Sequence, residues 1–120
     1  MYVLITNGYS NTDVLATSYW NTSFCIFGKS LNDNPGLSGQ VSKSMLMTTL
    51  LEHEFGHLMG LVDQGSPMQV NHKDAANGAH CDKPDCLMYY NVEAGFTGTL
   101  SAVPSLDANC IADLKANGGK

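Results

Sequence analysis

Two histidines flank a glutamate in the segment His53-Glu54-Phe55-Gly56-His57. On a helix these histidines lie one turn apart on the same face, so their imidazoles can meet on a single cation. Zinc accepts imidazole nitrogen and tolerates open coordination positions. Glu54 is placed to take a proton from a water activated by the metal and to pass it to a leaving amine. Two histidines at this spacing are by themselves usually ordinary residues, but with the glutamate between them they predict a hydrolytic zinc site.

A helix must hold these side chains in place, and the pattern around them predicts one over residues 41–60. Apolar residues recur there at steps of three and four positions, namely Leu46, Leu50, Leu51, Phe55, Leu58 and Met59. Ser42 or Ser44 could cap the start of this helix. Gly60 could end it, because glycine readily takes the left-handed conformation.

The rest of the chain predicts a small sheet, a long loop and a second helix. Residues 2–6, 14–20 and 23–28 have the composition of short strands. Residues 61–87 are irregular, and a loop of this length usually has a function or binds a metal. Residues 105–117 predict a last helix that Ser105 caps and Gly118-Gly119 end. Its expected buried stripe consists of Leu106, Cys110, Ile111 and Leu114.

The chain contains four cysteines, and an even number in a short chain allows two disulfides. Cys81 and Cys86 are close in sequence, so we expect them to pair with each other. A zinc–thiolate role is the main alternative for them. Cys25 and Cys110 could form a second bridge or remain buried thiols.

Composition narrows the function classes. A formal net charge of −5 argues against a nucleic-acid partner, and the apolar stretches fall far short of the roughly 20 residues of a membrane span. The charged fraction of only 14% and the cysteines favour a secreted, periplasmic or cell-surface protein, expected to be a monomer. Met1 stands directly before a strand-like run without a signal-peptide pattern. We therefore expect residues 1–120 to be a single catalytic domain, trimmed at its N-terminus.

The pattern His-Glu-x-x-His-x-x-Gly-x-x-Asp, which ends at Asp63, resembles the motif of metzincin metallopeptidases. In that family the third zinc ligand is His or Asp, so Asp63 is the favoured third ligand here. The segment Cys86–Tyr90 is similar to the metzincin Met-turn, which would put Met88 beneath the zinc. Tyr90 matches the tyrosine that astacin-like and serralysin-like enzymes keep near the metal, where it could stabilise the oxyanion. Ordinary core packing is the alternative for Met88 and Tyr90.

The stretch from His80 to Met88 is also similar to archaemetzincins, in which His-Cys-x4-Cys-x-Met leads into the Met-turn. In that family the histidine of the stretch is the third ligand and further cysteines hold a second zinc. His80 is therefore an alternative third ligand, and His72 is another candidate. The downstream Cys-x-x-Cys of archaemetzincins is missing from this chain. One catalytic Zn²⁺ is therefore expected, and a second ion is not.

The resemblance implies an α+β fold with a metzincin-like zincin core. Such a core has a small twisted mixed sheet with an edge strand, an active-site helix, a Met-turn and a C-terminal helix. Residues 14–20 would be the edge strand that holds an extended protein or peptide substrate. The implied activity is that of a zinc-dependent endopeptidase. The alternatives are a gluzincin-type peptidase with Glu93 as third ligand and a catalytically silent zinc-binding domain.

Overall fold

The computed structural model describes residues 1–8, 14–33, 42–93 and 101–119. The regular elements in these ranges are β1 (Tyr2–Thr6), β2 (Ala16–Tyr19), β3 (Ser23–Phe27), α1 (Gly28–Asn32), α2 (Lys43–Leu58), a 3-10 helix (Tyr90–Val92) and α3 (Ala108–Ala116). Each of the three predicted strand segments therefore contains one strand, and α2 and α3 lie where two helices are expected. The short helix α1 is not predicted from the sequence.

The three described strands form one mixed sheet in the order β1-β3-β2. β3 lies in the middle, parallel to β1 and antiparallel to β2. All five residues of β3 are buried, as expected for an apolar strand with a neighbour on each side. β2 is an edge strand of this sheet, and it turns into β3 through Trp20 and Asn21, which have positive φ angles of 62° and 48°. The predicted α+β class with a small mixed sheet is confirmed.

α2 has the two ends that the sequence predicts. At its start, the Ser42 hydroxyl accepts a hydrogen bond from the Met45 amide at 3.1 Å, which satisfies one of the free amides of the first turn. At its end, Gly60 takes a φ of 83°. The amides of Gly60 and Leu61 donate to carbonyls of the last helical turn at 2.9 and 3.1 Å, a Schellman cap. The chain therefore leaves α2 sharply and enters the loop that carries His80.

The cap of α3 lies two residues later than predicted. Asp107 caps the helix in place of Ser105, and its carboxylate accepts a hydrogen bond from the Cys110 amide at 2.9 Å. A carboxylate also complements the positive end of the helix, which a hydroxyl does not. The predicted buried stripe is wrong at Ile111, which is 40% exposed. Asp113, which carries a carboxylate, is buried on the same helix.

Two apolar clusters form the core. The larger one packs α2 against the sheet and consists of Leu15, Ala16, Phe24, Ile26, Leu31, Leu46, Leu50 and Val92. The smaller one includes residues of α3 and of the loop after α2, and it consists of Leu61, Val62, Cys81, Cys86, Met88 and Cys110. Three of the four cysteines therefore lie together in the smaller cluster.

Among the described residues, no helix combines the length and the apolar character that crossing a membrane requires.

Candidate metal centre and active site

Three histidines and a glutamate come together beside α2, and we call them the first cluster: His53, His57, His80 and Glu93. One donor atom of each residue lies within 4.8 Å of the donor atoms of the other three. His53 and His57 stand on adjacent turns of α2, and their Nε2 atoms are 3.1 Å apart. The ring centroid of His80 lies 5.3 Å from that of His53 and 5.2 Å from that of His57. This group could hold a metal ion.

Backbone carbonyls orient two of the three imidazoles. Nδ1 of His53 lies 2.7 Å from the Leu87 carbonyl, and Nδ1 of His80 lies 2.6 Å from the Asn77 carbonyl. A carbonyl only accepts, so Nδ1 is the donor in both rings. With Nδ1 as the donor, Nε2 is the nitrogen that is left to bind a metal once it carries no proton. Because Leu87 belongs to the predicted Met-turn, that turn orients the first histidine of the motif.

Burial keeps the two helical histidines uncharged. It lowers the pKa of His53 to about 4. Burial and the neighbouring His53 lower the pKa of His57 to about 3. Two nitrogens bound to one tetrahedral zinc at about 2.0–2.1 Å would be about 3.3 Å apart, close to the observed separation. The donors therefore fit a zinc ion both in their protonation and in their spacing.

Glu93 is paired with His80 at the edge of the first cluster. Oε2 of Glu93 lies 2.8 Å from Nε2 of His80, and the two side chains are 20% and 13% exposed. Burial alone would lower the pKa of His80, but its hydrogen bonds to Glu93 and Asn77 raise it overall. Nε2 of His80 therefore shares a proton with Glu93. A metal ion that binds this nitrogen would displace that proton.

Glu54 is fully buried next to the helical histidines. The Ser18 hydroxyl on β2 donates to Oε2 of Glu54, whereas Oε1 has no hydrogen-bond partner among the described residues. Burial raises the pKa of Glu54 to about 8, against the lowering effect of the bond from Ser18. A carboxyl group with a raised pKa and one free oxygen suits a residue that accepts and returns a proton.

A cleft of about 160 Å³ borders the first cluster. Its walls come from the edge strand, the loop after α2 and the cluster itself, and they are formed by Thr17, Ser18, His57, Gln64, Ala79, His80 and Glu93. An edge strand leaves one row of backbone amides and carbonyls without a partner in the sheet. A polar backbone edge therefore runs beside the candidate metal centre.

Met88 lies against the face of α2 that carries the histidines. It is fully buried, and its sulfur occupies the space that a Cβ at Gly56 would need. The methyl carbon of Met88 would lie 3.1 Å from the same Cβ. Gly56 is therefore required for the close approach of the helix to the turn. This contact keeps the Leu87 carbonyl within reach of His53.

Asp63, the favoured third ligand, lies outside the first cluster. Its carboxylate bonds to Nζ of Lys73 at 2.8 Å, and its side chain is 61% exposed. The chain turns sharply at this point, where Asp63 has a φ of 67°. Of the metzincin-type candidates Asp63, His80 and His72, His80 joins His53 and His57, and so does Glu93, the candidate for a gluzincin.

The remaining predicted residues occupy separate positions. Tyr90 is half-buried at the start of the 3-10 helix, and its ring centroid lies 4.7 Å from that of Tyr89. His72 is buried, and its Nε2 lies 2.9 Å from Oδ2 of Asp113 on α3. This bond accounts for the burial of a carboxylate on the inner side of α3.

The four cysteines are free thiols, in place of the predicted bridge between Cys81 and Cys86. Sγ of Cys86 lies 3.7 Å from Sγ of Cys110, and Sγ of Cys81 lies 3.5 Å from Nδ1 of His72. His72, Cys81, Asp107 and Cys110 form a further group whose donor atoms lie within 4.8 Å of one another. We call this group the second cluster.

Sequence reasoning missed Ser18 and Asp113. Ser18 precedes Glu54 by 36 residues, and Asp113 follows His72 by 41. Contacts over such separations leave no periodic signal, because they depend on how the sheet and α3 pack. The sequence predicts Glu93 only as the third ligand of a gluzincin, and the structure places it in the first cluster and pairs it with His80.

Comparison of the chain with protein-family models, with curated proteins and with solved structures gave no match. The function must therefore be inferred from the motifs and from the geometry of the first cluster.

Proposed function

We propose that this chain is a metzincin-type zinc peptidase that hydrolyses peptide bonds of an extended polypeptide. One observation carries the proposal: three imidazoles converge next to a buried carboxyl group at the border of a cleft. The resemblance of the segment 53–63 to the metzincin motif, and of the segment 86–90 to the Met-turn, supports the same class.

We infer that Nε2 of His53, His57 and His80 bind the metal. Three protein ligands leave a zinc ion with an open coordination position, which is typical of catalytic sites. Zinc bound there supplies a Lewis acid that polarises the scissile carbonyl and makes a water molecule more acidic. The Asn77 carbonyl accepts from Nδ1 of His80 and so orients its ring, as outer partners commonly do for ligating histidines. Glu93 contacts Nε2 itself, so a metal bound at that nitrogen would replace this contact.

Glu54 is the proposed general base. A positive charge nearby favours its carboxylate form, which takes a proton from the attacking water. The same residue then returns that proton to the leaving amine nitrogen, so no net proton remains on the protein. The hydroxyl of Ser18 holds Oε2 and leaves Oε1 for this exchange. The phenol of Tyr90 is the proposed additional donor to the oxyanion.

The edge strand β2 is the proposed substrate platform. Thr17 and Ser18 line the cleft, and the outer backbone edge of β2 can pair with an extended chain by strand addition. Main-chain hydrogen bonds of this kind do not depend on the substrate's side chains. A protein or peptide substrate in extended form therefore fits this surface.

A gluzincin-type arrangement is the second candidate, since a carboxylate oxygen of Glu93 lies among the donor atoms of the first cluster. In that arrangement His53, His57 and Glu93 bind the metal and His80 supports Glu93. The reaction catalysed is the same, and variants of His80 and Glu93 separate the two arrangements.

Replacement of Glu54 tests the function directly. Glu54→Gln keeps the shape of the side chain but removes the base, so we expect cleavage of a denatured protein substrate to fall about 10³-fold while bound zinc stays unchanged. The matched control is Glu52→Gln, an exposed glutamate on the same helix, which should cleave like the unmodified chain. A chelator should abolish cleavage by Glu52→Gln and by the unmodified chain. Equal activity of Glu54→Gln and the unmodified chain would disprove the proposed role, and zinc binding without any cleavage would indicate a silent zinc-binding domain.

A further inference from the structure

One short segment of the chain separates the two clusters, with the first cluster on one side of it and the second cluster on the other. His80 and Cys81 are adjacent, yet His80 joins the first cluster and Cys81 joins the second. Isolated β-bridges to Lys73 and Tyr89 hold the backbone at Cys81 in an extended form. Successive side chains of an extended segment point to opposite sides. The same segment can therefore serve two separate groups of donor atoms.

The distances between donor atoms of the second cluster, and the distance from Cys110 to the neighbouring Cys86, match the edges of a zinc coordination tetrahedron. Two thiolates about 2.3 Å from one zinc are about 3.8 Å apart, and a thiolate and a nitrogen or oxygen ligand are about 3.6 Å apart. Sγ of Cys81 lies 3.5 Å from Nδ1 of His72 and 3.8 Å from Oδ2 of Asp107. Sγ of Cys86 lies 3.7 Å from Sγ of Cys110, far longer than the roughly 2.05 Å of a disulfide.

The imidazole of His72 is oriented in the way that metal-binding histidines usually are. Its Nε2 donates to Oδ2 of Asp113 at 2.9 Å, and both side chains are 1% exposed. The other oxygen of Asp113 accepts the Gln69 amide at 2.7 Å, which fixes the carboxylate. A histidine held by a carboxylate at one nitrogen presents a lone pair at the other. Nδ1 of His72 is thus directed at Cys81.

Backbone amides support the sulfur of Cys86. The amides of Met88 and Asp107 each donate to it at 3.4 Å. Hydrogen bonds to the charged form favour a thiolate, which is the form that binds zinc. With Cys81, Cys110 and His72 fully buried, this is a sulfur-rich interior site. Asp107 and Cys86 also line a surface hollow of about 360 Å³, through which an ion could reach the cluster.

We propose that His72, Cys81 and Cys110 hold a second, structural zinc ion, with Asp107 or Cys86 as the fourth ligand. Thiolate-rich sets with four protein ligands are typical of structural zinc. The ion would join the loop after α2 to α3 and so fix the segment that carries His80. The sequence raises a zinc–thiolate role for Cys81 and Cys86 as the alternative to a disulfide, but it does not predict this ligand set, because His72 and Cys110 are brought to Cys81 only by folding. The proposal stands whether or not the first cluster is catalytic.

Zinc content and cobalt spectroscopy test this site separately from the first cluster. The full chain, purified with zinc under reducing conditions, should contain two zinc ions by mass spectrometry. Cys110→Ser should reduce this to one, whereas the matched control Cys25→Ser, a buried thiol in β3, should keep two. If Cys110→Ser retains both ions, the proposal is overturned.

Cobalt substitution of the unmodified chain does not depend on how the variants fold. The first cluster contains no sulfur, so thiolate-to-cobalt charge-transfer absorption reports only the second cluster. This absorption should appear, and it should persist in His57→Ala, which removes a ligand of the first cluster. Cobalt or zinc binding to the reduced chain without any thiolate absorption would overturn the proposal.

Discussion

The two clusters share one short segment of chain but differ in their donors and surroundings. The first cluster has nitrogen and oxygen donors, borders a cleft of about 160 Å³ and lies next to the buried carboxyl of Glu54. The second has two thiols among its four donor residues, and three of the four are buried. A metal that reacts needs an open position and a base, whereas a metal that holds a fold needs a closed set of strong ligands. On this contrast we propose that the first cluster carries the reaction and that the second stabilises the fold.

The largest expected effect on zinc affinity separates the candidates for the third ligand of the metal at the first cluster. His80→Ala should weaken zinc binding there by more than about 100-fold, since even the loss of an outer hydrogen bond to a ligand costs about 10–100-fold. Asp63→Ala should leave the affinity unchanged, because that carboxylate contacts Lys73. Competition with a chromophoric chelator measures both.

Glu93→Gln refines the same comparison and should weaken zinc binding less than His80→Ala does. The reverse order, with Glu93→Gln abolishing binding and His80→Ala retaining it, would favour the gluzincin-type arrangement.

A smaller effect is expected from the carboxylate behind the second cluster. Asp113→Asn removes the charge that holds His72 while keeping the size of the side chain. We expect the affinity for the thiolate-bound ion to fall about 10–100-fold. Titration of the cobalt charge-transfer absorption measures it, and peptide cleavage measured with both sites saturated should change little. An unchanged cobalt affinity would show that His72 is not a ligand.

The smallest effect is expected from Ser18, which positions the base. Ser18→Ala removes a hydrogen bond to a carboxylate, worth about 1.5 kcal/mol or more, so kcat should fall about tenfold while bound zinc stays unchanged. The bond from Ser18 lowers the pKa of Glu54, so its loss should move the acid limb of the pH profile to higher pH. Ser18→Thr, which keeps the hydroxyl, should restore both. An unaltered pH profile in Ser18→Ala would remove Ser18 from the mechanism.

Much of the first cluster is predictable because its signals are local. The helix that carries His53 and His57 follows from apolar periodicity, and its ends follow from Ser42 and Gly60. The three strand segments follow from composition and intervening turns. These features depend on residues within a few positions of one another, which a sequence pattern records.

The third ligand and the second cluster depend on the path of the loop after α2. The offset of Asp63 from Gly60 favours it as a ligand, but positive φ angles of 51° at Val62 and 67° at Asp63 turn the chain there. The second cluster joins His72 to α3 across 41 residues. A disulfide between Cys81 and Cys86 is the natural inference from their proximity in sequence, but their thiols face different partners.

Anomalous diffraction at the zinc edge, from crystals grown with zinc, would show whether the first cluster binds the metal and through which atoms. We predict a peak about 2.0–2.1 Å from Nε2 of His53, His57 and His80, with the carboxyl group of Glu54 close by but outside the ligand set. A first cluster without a peak, or a peak bound to the two helical histidines and Asp63, would rule out this ligand set.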